Sequence, residues 1–105
     1  MFFKLMKDTY TDTINIETAK TIGQWIKDQY PNVTLYIIGS VLNAGLIHRG
    51  SDIDFVIYGI DEITYEELMK KTREHFPDIK VDIRRMEEMD AYTQQKHRTR
   101  GYEVL

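Results

Sequence analysis

The sequence predicts an α/β sandwich, a small mixed sheet with helices packed against it, and three observations lead there. Two apolar, β-branched runs, Val33 to Ile38 and Asp52 to Tyr58, read as strands bounded by Gly39 and Gly59. Ile16, Ala19, Ile22, Ile26 and Tyr30 recur at helical spacing before the first run. Ile79-Lys80-Val81-Asp82-Ile83-Arg84 alternates apolar and charged residues, the signature of a strand covered on one face. Helices between strands then give a layered α/β arrangement.

Each element has a local reason. Residues 1–14 carry weak signals: Lys7 to Asp12 reads as loop, and Phe2, Phe3 and Leu5 suit a short strand or a partner contact. Asn15 is positioned to cap the first helix, with Glu17 near its start, and Pro31 ends it because proline disfavours helical geometry in the residue before it. The near-continuous hydrophobicity of 33–38 predicts a central strand covered on both faces. Thr64-Tyr65-Glu66-Glu67 reads as a capping box, opening a helix that buries Leu68, Met69 and Phe76 and stops before Pro77, with His75 capping its end. After the third strand, Met86, Met89 and Tyr92 at helical spacing predict an exposed helix to Arg98, and Gly101 breaks it before a short extended tail.

Composition narrows the function classes. At 105 residues the chain is expected to form one domain, 1–105, with a thin core that a partner surface would help cover. Fourteen Lys+Arg against 17 Asp+Glu give a net charge of -3, which argues against a general nucleic-acid binder. No cysteine is present, so disulfides, thiolate zinc sites and cysteine nucleophiles are excluded and a reducing cytoplasm fits. No apolar run approaches the length of a membrane span, and a soluble protein is expected. The basic run Lys96-His97-Arg98-Thr99-Arg100 is read as a solvated helix end suited to the helix dipole, ahead of a nucleotide or RNA contact. Trp25 and Tyr30 are assigned to core or partner packing, and the three histidines stand at no metal-ligand spacing.

The chemistry concentrates between residues 39 and 58. The first strand ends at Gly39-Ser40, a loop with two further glycines follows, and the next strand opens with Asp52-Ile53-Asp54. Strand side chains alternate faces, so Asp52 and Asp54 point one way while Ile53, Phe55 and Ile57 point the other. Paired carboxylates repel unless a cation lies between them, and hard oxygen ligands are what Mg²⁺ takes when it also holds substrate phosphates.

Gly-Ser, a glycine-containing loop, Asp-Ile-Asp and a hydrophobic strand, joined by the in-strand Asp82, resemble the signature of the DNA polymerase β-like nucleotidyltransferases. The short length suggests the minimal, MNT-type branch, the antitoxin partners of HEPN toxins. The likeness runs from about Asn15 to Leu105, and Arg100-Gly101-Tyr102-Glu103-Val104-Leu105 is similar to that group's closing segment. It implies the polymerase β-like fold, and two Mg²⁺ ions held by Asp52, Asp54 and Asp82, with Asp82 also helping to deprotonate the attacking hydroxyl. It implies a nucleotide, ATP or another NTP, cradled by Gly39, Ser40 and Ser51 with Arg49 as a phosphate contact. One departure stands out. Such proteins commonly follow Gly-Ser with basic residues, whereas here Val41, Leu42, Asn43, Ala44 and Gly45 follow, leaving His48, Arg49 or Arg84 to offset triphosphate charge.

Three functions share that fold. The first is transfer of a nucleoside monophosphate, AMP foremost, to a protein hydroxyl, as the antitoxin of a HEPN-type toxin. The second is a catalytically silent antitoxin that occludes its partner. The third, a small-molecule transferase of the aminoglycoside-modifying type, fits less well because those proteins carry an added acceptor domain. Phe2, Phe3, Met86, Met89, Tyr92, Tyr102, Val104 and Leu105 have no obvious duty within the chain; they are candidates for a protein interface or for capping the small core, the two readings standing level.

Overall fold

The computed structural model describes residues 2–39 and 53–105, with side chains from residue 16 onward. Helix α1 spans Phe2–Gln29, β1 Thr34–Ile38, β2 Ile53–Tyr58, α2 Glu62–His75, β3 Val81–Arg85, α3 Ala91–Arg100 and β4 Tyr102–Val104, with a 3-10 turn at Met86–Glu88. The four strands form one sheet in the order β3-β2-β1-β4. β1 runs antiparallel to both β2 and β4, while β2 and β3 are parallel. A parallel pair needs a crossover, and α2 supplies it.

The α/β sandwich expected from the sequence is the observed architecture, with corrections at its ends. The first helix does not begin at Asn15: its backbone runs unbroken from Phe2, because no glycine or proline interrupts the chain before Gly23. The loop expected at Lys7 to Asp12 is therefore helix. The helix ends as expected at Pro31, with Tyr30 N–H making its final bond to the Ile26 carbonyl at 2.9 Å. The Thr64 capping box is also corrected. Asp61 is the N-cap, and its carboxylate accepts from Thr64 N–H at 2.7 Å, one turn earlier than expected. That bond holds the Asp61 carboxyl below its ordinary range. Asp90 caps α3 in the same way through Thr93 N–H at 2.7 Å, so the helix expected from Met86 starts at Ala91. The extended tail is a fourth strand, pairing Tyr102 with Ile37 and Val104 with Leu35.

The sheet separates two cores. Leu35, Ile37, Phe55, Ile57, Ile83 and Val104 point to the face covered by Ile22 and Ile26 of α1 and Leu68 of α2. Leu68 is fully buried, a contribution of about 2 kcal/mol in apolar transfer. Met69 and Phe76 are only partly buried against this core. His75 does not cap α2; the Phe76 N–H bonds Thr72, and the His75 ring stacks on Trp25 at 4.8 Å, clasping α2 to α1. On the opposite face Tyr36, Val56 and Met86 form a smaller cluster flanked by Ile38 and Met89. Covering both faces makes β1 and β2 the central strands and explains their continuous hydrophobicity. Met86 and Val104, candidates for a partner interface by sequence, are core residues; Tyr92 and Leu105 are exposed.

Candidate functional site

The end of the sheet where β1 terminates carries the acidic pair. Register sets Ile38 opposite Asp54, and Asp54 opposite Asp82. Residues in register on adjacent strands share a face, so the two carboxylates project side by side from strands about 4.8 Å apart. Phe55 and Ile83, the next pair along, point into the main core and hold the register. Asp54 is half-buried and Asp82 keeps about a third of its side chain exposed, at 35%.

Gly39 closes the site from β1. Its φ of +86° lies where side-chain-bearing residues are strained. A Cβ built there would stand 2.7 Å from Asp54 Oδ2, so any side chain at this position would push the carboxylate aside. Asp82 accepts a hydrogen bond from Arg84 Nε at 3.0 Å, an ion pair two residues along the same strand. Ser40, Arg49, Ser51 and Asp52 lie outside the described residues. Among the described residues no three His, Cys, Asp or Glu side chains gather as a metal site. Asp54 and Asp82 nonetheless fit as two of the hard oxygen donors Mg²⁺ takes, since register and the Gly39 approach hold them on one face.

Helix α3 crosses this same face. Gln94 Nε2 donates to the Met86 and Met89 carbonyls, both at 3.0 Å, and Gly101 lies against Tyr36 and Ile38. The basic run is thus not wholly a solvated helix end. His97 is half-buried, and burial first, then the Lys96 and Arg84 charges, hold its imidazole below its usual pKa. The sequence signal for this placement was the Asp90 cap with the Gly101 break, which together direct α3 back over the sheet.

A separate open cleft of about 290 Å³, lined by Gln29 to Val33, Gly59 to Asp61 and Thr64, lies at the other end of the sheet, where Thr34 pairs with Tyr58. It is remote from the carboxylates.

The mixed four-stranded sheet with helices on both faces matches nucleotidyltransferase-like solved structures in fold. Solved structures similar to this chain are toxin–antitoxin structures containing MntA, a minimal nucleotidyltransferase antitoxin. The crystal structure of MntA–HepT has a TM-score of 0.55 at 21% identity, covering 89% of this chain and 71% of that one. A mutant of the complex bearing two Asp→Glu substitutions two positions apart gives 0.62 at 23%, covering 83% and 71%. A toxin–antitoxin structure with AMP-PNP gives 0.61 at 28%, covering 82% and 70%. These likenesses are of fold. No protein-family model matches the chain. Acid sugar phosphatases from two strains of Staphylococcus epidermidis are 36% identical over 61 residues, half of this chain; the match spans about a quarter of their length, 24%. Among the described residues, no helix is long and apolar enough to cross a membrane.

Proposed function

We propose that residues 1–105 form a cytoplasmic Mg²⁺-dependent nucleotidyltransferase domain that moves AMP from ATP to a hydroxyl of a protein partner, as the antitoxin of a HEPN-type toxin. The observation that carries this reading is the in-register pairing of Asp54 with Asp82 beside Gly39. Support also comes from the similar structures, one of them holding AMP-PNP and another altered at two aspartates with the spacing of Asp52 and Asp54.

In the reaction the acceptor oxygen attacks the α-phosphorus, forming the new O–P bond as the bond to the β-phosphate oxygen breaks and pyrophosphate departs with its electron pair. Asp52, Asp54 and Asp82 would hold Mg²⁺, which neutralises charge on the transferring phosphate. Asp82 accepts the hydroxyl proton. Gly39 and Ser40 let the backbone approach the triphosphate, and Ser51 and Arg49 contact it. Register on adjacent strands sets Asp54 beside Asp82, so the chain contributes positioning more than covalent chemistry.

Incubation with α-labelled ATP, Mg²⁺ and a HEPN-type partner tests this. Label appears on the partner with the natural chain and is lost with Asp54→Asn, Asp82→Asn or EDTA. Undiminished label with both variants would overturn the assignment. The run Val41 to Gly45, without basic residues, favours the silent-antitoxin reading. That reading predicts a stable complex without label and no rise in melting temperature with ATP and Mg²⁺.

A further inference from the structure

We infer that Arg84 is an anion-binding residue of this site, supplying to a bound triphosphate positive charge that the run Val41 to Gly45 lacks. The inference rests on the nucleotide-transfer reading and adds a residue to it. Arg84 pairs in register with Val56 and so lies on the carboxylate face of the sheet, one step beyond Asp82. Its side chain is 69% exposed. A guanidinium has five N–H donors, and among the described residues only Nε–H finds a protein acceptor, the Asp82 carboxylate. Four donors in a planar fork therefore remain, the geometry that suits phosphate oxygens.

The ion pair ties this fork to the site. Nε bound to Asp82 at 3.0 Å keeps the guanidinium beside the carboxylate that, in register with Asp54, would meet the nucleotide. The neighbouring helix adds to the local charge: α3 is anchored on this face through Gln94, and the Lys96 and Arg84 charges both reach the half-buried His97 ring. An exposed ion pair alone contributes little to stability, so fold stability is a weak account of this arrangement. Two cations, Arg84 and Lys96, near one neutral imidazole leave net positive charge at this place, and a polyanion offsets it.

Calorimetric titration of the full chain separates the roles. The probe is inorganic tripolyphosphate in EDTA, which removes metal from the comparison. Arg84→Gln weakens binding about tenfold, the scale of one charged hydrogen bond, and Arg84→Lys recovers part of it. Asp82→Asn strengthens binding by removing a repelling carboxylate. Arg84→Gln made in the Asp82→Asn background still weakens binding about tenfold. If the effect of Arg84→Gln disappears in that background, Arg84 acts only by holding Asp82 and the inference is wrong. Unchanged binding in the single Arg84→Gln variant sinks it equally. AMP-PNP with Mg²⁺ distinguishes the underlying reading. Arg84-dependent tripolyphosphate binding without AMP-PNP binding keeps the anion site and discards the nucleotide function. AMP-PNP binding indifferent to Arg84→Gln does the reverse, and failure of both probes to bind the natural chain discards both.

Discussion

Replacing Gly39 by alanine should separate the stability of this fold from the geometry of its site, because Gly59 provides a matched control. Both glycines have positive φ, +86° and +96°. A left-handed conformation costs a side-chain-bearing residue about 1–2 kcal/mol, offset by about 0.4–1 kcal/mol from the stiffer unfolded chain. Each substitution should therefore destabilise by about 1 kcal/mol, lowering the melting temperature by about 5 °C in a domain of this size. Their surroundings differ. At Gly59 the nearest atoms, Asn32 O and Val33 Cα, lie 3.8 Å from the added Cβ, whereas at Gly39 Asp54 Oδ2 lies 2.7 Å away. The carboxylate must swing aside in Gly39→Ala, and a misplacement near 1 Å can cost about a hundredfold in rate. Melting curves and labelled transfer, run on both variants, are the assay. Equal loss of melting temperature with transfer lost only in Gly39→Ala is expected. Equal transfer by the two variants would refute the argument that Gly39 sets the Asp54 position.

Two further predictions concern pH. Tyr65 O–H donates to the Ile83 carbonyl of edge strand β3, and burial, with Asp82 and Glu88 nearby, raises its pKa above 10.0. Tyr65→Phe should cost about 1 kcal/mol, seen as a lower urea midpoint with unchanged slope. The natural chain gains stability from this group below pH 10 and loses it as pH rises further, since the unfolded tyrosine ionises first; the variant should lack that alkaline loss. His97 has the opposite dependence. Its lowered pKa means the unfolded chain binds the proton first, so its contribution is present above about pH 6.5 and lost as pH falls through the lowered folded value. The melting temperature should fall on acidification from pH 7 to 5.5, and less steeply in His97→Gln; identical pH profiles would contradict the burial of this imidazole beside Lys96 and Arg84.

Periodicity and punctuation sufficed to find most of this fold. The alternation of Ile79 to Arg84 and the apolar runs around Tyr36 and Phe55 specify strands, because side-chain direction follows backbone period. The α/β class and the acidic pattern near Gly39 were legible for that reason, as was Pro31 as a helix end. Tertiary structure decided what local pattern cannot carry. Tyr102 to Val104 are too few to read as a strand, and they become one only because β1 offers an open edge. Met86 looked like a spare apolar residue until the second face of the sheet brought Tyr36 and Val56 to it. Asp61 and Thr64 both suit a cap, and the choice fell to the residue that the turn from β2 at Gly59 places at the helix start. The pairing of Asp54 with Asp82 was likewise invisible in spacing, since they lie 28 positions apart. A crossover through α2 brings β3 parallel to β2, and the burial of Phe55 against the core with Ile83 beside it sets the register that puts the two carboxylates on one face.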